Sequence, residues 1–128
     1  MSKKILVVED NPDARDLLES ILRLERFDVV EAADGVQGLE QARRESPDLI
    51  ITDLSMPRLT GVEMIQRLRA TSEFKTVPIL AITSHGMKEA LGAIKAGADR
   101  ALARPVENHL LIAFVSDLLG RRDRPHRA

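Results

Sequence analysis

The sequence predicts an α/β fold: a doubly wound, five-stranded parallel sheet with five helices over its two faces. Three observations carry this. Short apolar runs rich in Ile, Val, Leu and Ala recur at about 4–9, 28–32, 49–53, 78–82 and 99–103. Between them lie longer stretches whose apolar residues return at helical spacing. Such alternation calls for parallel strands joined by crossover helices, with both faces of the sheet covered.

The totals narrow the class of protein. A chain of 128 residues fits one domain and can bury a core without staples. It has no Cys, which removes disulfides and thiolate metal sites. Its net charge is −1, so there is no overall signature of nucleic-acid or membrane binding. No apolar run approaches the roughly 20 residues of a membrane span, and the N-terminal run is too short for a signal peptide. The expected location is the cytoplasm. With three Phe and neither Tyr nor Trp, the core must be aliphatic and base-stacking platforms are not expected.

The elements follow in order. Strand one spans about 4–9, and Asn11-Pro12 opens a helix, Asn as cap and Pro at the first helical position. Ala14, Leu17, Leu18, Ile21 and Leu22 form its apolar face. Strand two is 28–32. Asp34 and Gln37 have the spacing of a capping box for helix two, with Val36, Leu39 and Ala42 inward. Pro47 precedes strand three, Leu49-Ile50-Ile51-Thr52-Asp53. Thr60 and Glu63 form a second capping box, starting helix three with Val62, Ile65 and Leu68 inward. The polar stretch 71–76 reads as a surface connection. Strand four is 78–82. Helix four spans 87–96, with Met87, Ala90, Leu91 and Ile94 inward and Gly97 as its cap. Strand five, 99–103, is short and less apolar, as an edge strand tends to be. Helix five spans 107–119, with Leu110, Leu111, Phe114, Val115 and Leu118 buried and Gly120 as cap. The domain is thus read as 3–120, followed by a basic, disordered tail at 121–128.

Right-handed crossovers leave few topologies for five such units. The flavodoxin-like order 2-1-3-4-5 sets strands one and three side by side at the switch point, where ligands bind at the carboxyl ends of strands. Those ends carry Glu9, Asp10 and Asp53. Three carboxylates in one crevice repel each other, and a divalent cation removes that repulsion. All-oxygen ligation with room for water suits Mg²⁺, which usually also meets a phosphate. Asp53 is then placed to act as a nucleophile on phosphorus. Mg²⁺, the Thr83 hydroxyl at the end of strand four and the Arg104 cation at the end of strand five cover the three outer oxygens of the moving phosphoryl group.

The residues Val7-Val8-Glu9-Asp10-Asn11, Asp53-Leu54-Ser55-Met56-Pro57 with Gly61, Thr83-Ser84, and Gly97-Ala98-Asp99 through Arg104-Pro105 resemble a CheY-like, single-domain receiver of two-component response regulators. The resemblance covers about residues 3–120. It implies that Asp53 is the phosphoacceptor, charged by a sensor histidine kinase or histidine phosphotransfer protein. It implies that Glu9, Asp10, Asp53 and the main-chain carbonyl of Ser55 hold Mg²⁺, and that Thr83 is a switch hydroxyl. Arg104 stands where the family has Lys, before a Pro whose preceding peptide is typically cis. Ala101 stands where the family has Tyr or Phe, so switching is expected through the loop after strand four and helix four. The implied output surface is helix four, strand five and helix five, with a homodimer left open. Catalysis is limited to the chain's own phosphorylation and dephosphorylation.

Two other classes compete. A Mg²⁺-dependent phosphatase with an Asp nucleophile typically carries a second Asp two residues on, and Ser55 is there instead. A phosphorylation-independent scaffold is motivated by Arg104 and Ala101, and the acids Glu9, Asp10 and Asp53 count against it. His85, His109 and His126 read as surface residues. With helix five ending near the last residue given, the expectation is a single-domain regulator or the receiver fragment of a larger one.

Overall fold

Successive side chains of each strand point to opposite faces of the sheet, and helices cover both faces. The computed structural model describes residues 2–123. The strands are β1 (Lys4–Val8), β2 (Asp28–Ala32), β3 (Leu49–Asp53), β4 (Ile79–Thr83) and β5 (Arg100–Ala103). The helices are α1 (Pro12–Leu24), α2 (Gly35–Glu45), α3 (Gly61–Ala70), α4 (Met87–Ala96) and α5 (Asn108–Asp123). Every strand pair is parallel, and the sheet order is β2-β1-β3-β4-β5, as the sequence predicts.

Alternate residues of the central strands feed two separate cores. Leu6, Val8, Ile50, Ile79 and Ala81 pack with buried residues of α2, α3 and α4. Ile5, Val7, Leu49, Ile51, Leu80 and Ile82 pack with α1 and α5. Each large side chain so buried stabilises the fold by roughly 1.5–3 kcal/mol. The continuous apolar runs of the inner strands are therefore a consequence of both faces being covered.

The helix starts match their caps. The Asn11 side chain accepts from the Ala14 N–H at 3.0 Å, with Pro12 as the first helical residue. Asp34 accepts from the Gln37 N–H at 2.9 Å, while the Gln37 side chain accepts from the Ala33 N–H, one residue earlier than a capping box requires. Thr60 and Glu63 form the full reciprocal box.

Several inward faces differ from expectation. In α4, Met87, Leu91 and Ile94 are exposed, and Ala93 is the residue buried against the sheet. Small side chains let this helix approach closely, which turns its bulky residues to solvent. In α1, Leu17 is exposed, while Leu18, Ile21 and Leu22 are buried. Val36 of α2 and Leu110 of α5 also face out. Phe114 is half-buried and carries the Arg100 guanidinium 4.8 Å from its ring centre. The connection at 71–76 contains a 3₁₀ turn, Ser72–Phe74, whose Phe74 is buried. Finally, α5 runs past Gly120 to Asp123, so the stretch expected to be a disordered tail begins in helix. An Asp117–Arg121 pair at 3.0 Å, spaced i,i+4, offsets the glycine there. Residues 124–128, the rest of the expected tail, lie outside the described residues.

Candidate functional site

The carboxyl edge of the sheet collects the predicted acids. Parallel β1 and β3 are neighbours, with Val8 opposite Thr52, so the residues that follow, Glu9 and Asp53, come side by side at the carboxyl edge of the sheet. Carboxylate oxygens of Glu9, Asp10 and Asp53 lie within 4.8 Å of one another. Glu9 and Asp53 are buried, and Asp10 is exposed.

Nearby donors hold Asp53 and Glu9 in place. The Leu54 N–H donates to Asp53 Oδ1 at 2.9 Å. The Asn11 N–H donates to Glu9 Oε2 at 3.2 Å. Arg15 Nη1, from the second turn of α1, donates to the Glu9 carbonyl at 2.8 Å. Arg104 reaches in from the end of β5: its Nη2 donates to Glu9 Oε1 and lies 3.7 Å from Asp53 Oδ1. The Arg104 N–H also donates to the Thr83 carbonyl at 2.9 Å, and the Arg104-Pro105 peptide is cis.

Burial sets the electrostatics. It pushes the Asp53 carboxyl above the usual carboxylate range, against the Arg104 charge and the Leu54 N–H, with Asp10 adding to the rise. Glu9 is pushed up chiefly by burial and then by Asp53, while the Asn11 N–H and Arg104 pull it down. Two buried acids whose charged forms are disfavoured, with a third oxygen donor beside them, match the demands of a hard divalent cation. The donor set is all oxygen, which fits Mg²⁺ and not a softer metal.

Thr83 is buried at the end of β4, one residue beyond Ile82, the register partner of Asp53. Ser55 is exposed on the loop after β3, and its hydroxyl faces Glu89 Oε2 at 3.5 Å. Ala101 lies on β5 between α4 and the sheet edge. It helps to line a cavity of ≈ 280 Å³ with Thr83, Gly86, Met87, Ala90 and Ala103. His85 is exposed on the loop after β4.

Residues 5–116 match the family model of the response regulator receiver domain. The chain belongs to this family. As a receiver domain it is similar to the transcriptional regulatory protein PrrA of Mycobacterium tuberculosis, 38% identical over 121 residues, which are 94% of this chain and 52% of PrrA. The chain spans about half the length, or less, of the curated relatives it matches. Among solved structures, a response regulator of Chloroflexus aurantiacus superposes with a TM-score of 0.92 at 32% identity, covering 94% of this chain and 100% of that one. The receiver domain of a Pseudomonas aeruginosa sensor histidine kinase, solved with magnesium coordinated in its active-site cleft, gives 0.88 at 30% identity over 94% and 99% of the two chains.

Two residues at this edge of the receiver domain escaped the sequence reading. Arg15 steadies Glu9 from α1, and Glu89 reaches from α4 to the loop after β4. Glu89 had a sequence signal, because it is the third residue of a helix that starts just after Gly86. Arg15 had none, since only the packing of α1 on β1 brings it to Glu9.

Proposed function

We propose that Asp53 of this receiver domain accepts a phosphoryl group from a phosphohistidine donor, on a sensor histidine kinase or a histidine phosphotransfer protein. The observation that carries the proposal is the convergence of Glu9, Asp10 and Asp53 oxygens within 4.8 Å, with Arg104 beside them. In the reaction an Asp53 carboxylate oxygen forms the new bond to phosphorus. The bond from phosphorus to the donor's imidazole nitrogen breaks, and its electron pair stays with the imidazole. The proposed ligands of Mg²⁺ are Glu9, Asp10, Asp53 and the Ser55 main-chain carbonyl. Bound there, Mg²⁺ would offset the phosphoryl charge and bring oxygen ligands into line. Arg104 neutralises an outer oxygen once it swings from Glu9, and the Thr83 hydroxyl donates to another. Hydrolysis of the aspartyl phosphate by water returns the resting chain, so catalysis is limited to the chain's own modification.

The output reading rests on α4. Met87, Leu91 and Ile94 recur at i, i+4 and i+7 and are exposed, an apolar stripe suited to a downstream protein partner. We assign the surface of α4, β5 and α5 to that partner, the receiver unit to 3–120 and its place of action to the cytoplasm. Among the described residues no helix is long and apolar enough to cross a membrane.

Intact mass after incubation with Mg²⁺ and acetyl phosphate, or with a phosphohistidine donor, tests this. The expected result is one added phosphoryl group, absent in Asp53→Asn and absent when the metal is chelated. No adduct with any donor would support a phosphorylation-independent scaffold. Steady phosphate release from many small substrates would support a phosphatase, a reading that Ser55 disfavours because it offers no second carboxylate.

A further inference from the structure

Glu89 joins three parts of the chain. Its Oε1 accepts from the Ser84 N–H at 2.9 Å and the His85 N–H at 3.3 Å. Its Oε2 faces the Ser55 hydroxyl at 3.5 Å. One carboxylate thus spans the loop after Thr83, the loop after Asp53 and the first turn of α4. A plain helix-start role accounts for part of this, because a Glu at the third helical position often satisfies preceding amides. It does not account for the contact with Ser55. Nor does it account for the looseness around the latch. Gly86 has φ +85° and provides no side-chain cap, and the ≈ 280 Å³ cavity between α4 and β5 leaves room for the first turn of α4 to move.

We propose that Glu89 is a positioning residue that latches the loop after β4 in the unphosphorylated chain and is released by the charge that phosphorylation adds at Asp53. This rests on the phosphoacceptor reading of Asp53. Ser84 directly follows Thr83, so the hold of Glu89 on the Ser84 amide restrains the backbone that carries Thr83. Phosphorylation turns a carboxylate with one negative charge into an acyl phosphate with about two, a net gain of about one negative charge, on a residue only two positions from Ser55. Repulsion drives the Glu89 carboxylate away, frees the Ser84 and His85 amides, and lets the first turn of α4 settle toward the cavity beside Ala101. Met87 and Leu91 move with it. A carboxylate therefore does the work of coupling that an aromatic at position 101 could not do here.

The test follows the Ser84 and His85 amide resonances by ¹⁵N NMR, with Mg²⁺, before and after phosphoramidate, alongside the rate of mass gain. In the wild type both resonances shift on phosphorylation. In Glu89→Ala they lie near the phosphorylated positions from the start, and the mass gain is faster by about fivefold or more. Glu89→Gln keeps an acceptor without the charge, so it gains the phosphoryl group while the two amides stay near their resting positions. A Glu89→Ala chain that only melts earlier, with resting amides and an unchanged rate, overturns the latch and leaves a helix cap. So does a Glu89→Gln chain whose amides move as the wild type's do. A wild type that is phosphorylated without movement of either amide overturns the latch alone. A wild type that gains no phosphoryl group overturns the phosphoacceptor reading and the latch with it.

Discussion

Gly61 shows how tightly the reactive edge is packed. A Cβ at that position would lie 2.2 Å from the Asp53 carbonyl oxygen and 2.7 Å from the Leu54 Cα. Both are backbone atoms at or next to Asp53, the proposed phosphoacceptor, and neither can yield without moving it. Gly61→Ala should destabilise the domain by about 2–3 kcal/mol, seen in urea unfolding, and slow its phosphorylation by acetyl phosphate. At this scale the acids were legible in the sequence, because Glu9, Asp10 and Asp53 each end an apolar run. The resting position of Arg104 was not legible. It was expected opposite a phosphoryl group, and it lies between Glu9 and Asp53, attracted by two buried carboxylates. Its partner Glu9 is 95 positions away in the chain, beyond any local pattern.

Among the elements, Arg69 of α3 plays the structural counterpart at the opposite edge of the sheet. Its Nε donates to the Gly97 carbonyl at 2.9 Å, and its Nη1 to the Phe74 and Val77 carbonyls at 2.8 and 2.7 Å. Its Nη2 meets Asp99 Oδ2 at 3.0 Å, which also accepts from the Ile79 N–H. One guanidinium thus ties together α3, the 3₁₀ turn, the start of β4, the end of α4 and the approach to β5. Arg69→Ala should cost about 2 kcal/mol or more by leaving these carbonyls without a donor. Arg69→Lys should recover little, since an ammonium cannot reproduce the planar fork. Chemical denaturation checks both, and phosphorylation by a small donor should survive in each variant that folds. Nothing in the local sequence marked Arg69, whereas the helix containing it was plain from its capping box. The apolar residues of α4 were misassigned for a related reason. Period 3.6 locates a stripe but not the side on which alanines allow a closer approach, and Ala93 took the buried place.

For the molecule as a whole, Glu19 makes stability depend on pH. It is buried on α1, where Glu31 of β2 and Asp16 lie close. Arg23 pairs with its Oε1 at 3.4 Å, and Arg15 lies 3.7 Å from Glu31. Burial first, and then Glu31, push its carboxyl from 4.5 up to about 7. The folded state therefore holds this proton more tightly than the unfolded state does. Its stabilising contribution is complete below about pH 4.5 and is lost as pH rises to about 7. Glu19→Gln removes the dependence. The variant should be more stable than the wild type by about 1 kcal/mol at pH 8, with the gain gone at pH 4.5. Urea unfolding of both chains at the two pH values measures it.

The sequence alone determined the strand order and the acidic edge. Alternating strand and helix runs joined by right-handed crossovers admit few arrangements, and each acid ends or closely follows an apolar run. Only tertiary structure decided the inward side of α4, the engagement of Arg104 with Glu9 and the bridge from Glu89 to Ser55. Each of these depends on how closely separate elements approach, and that distance is set by side-chain volumes from several parts of the chain at once.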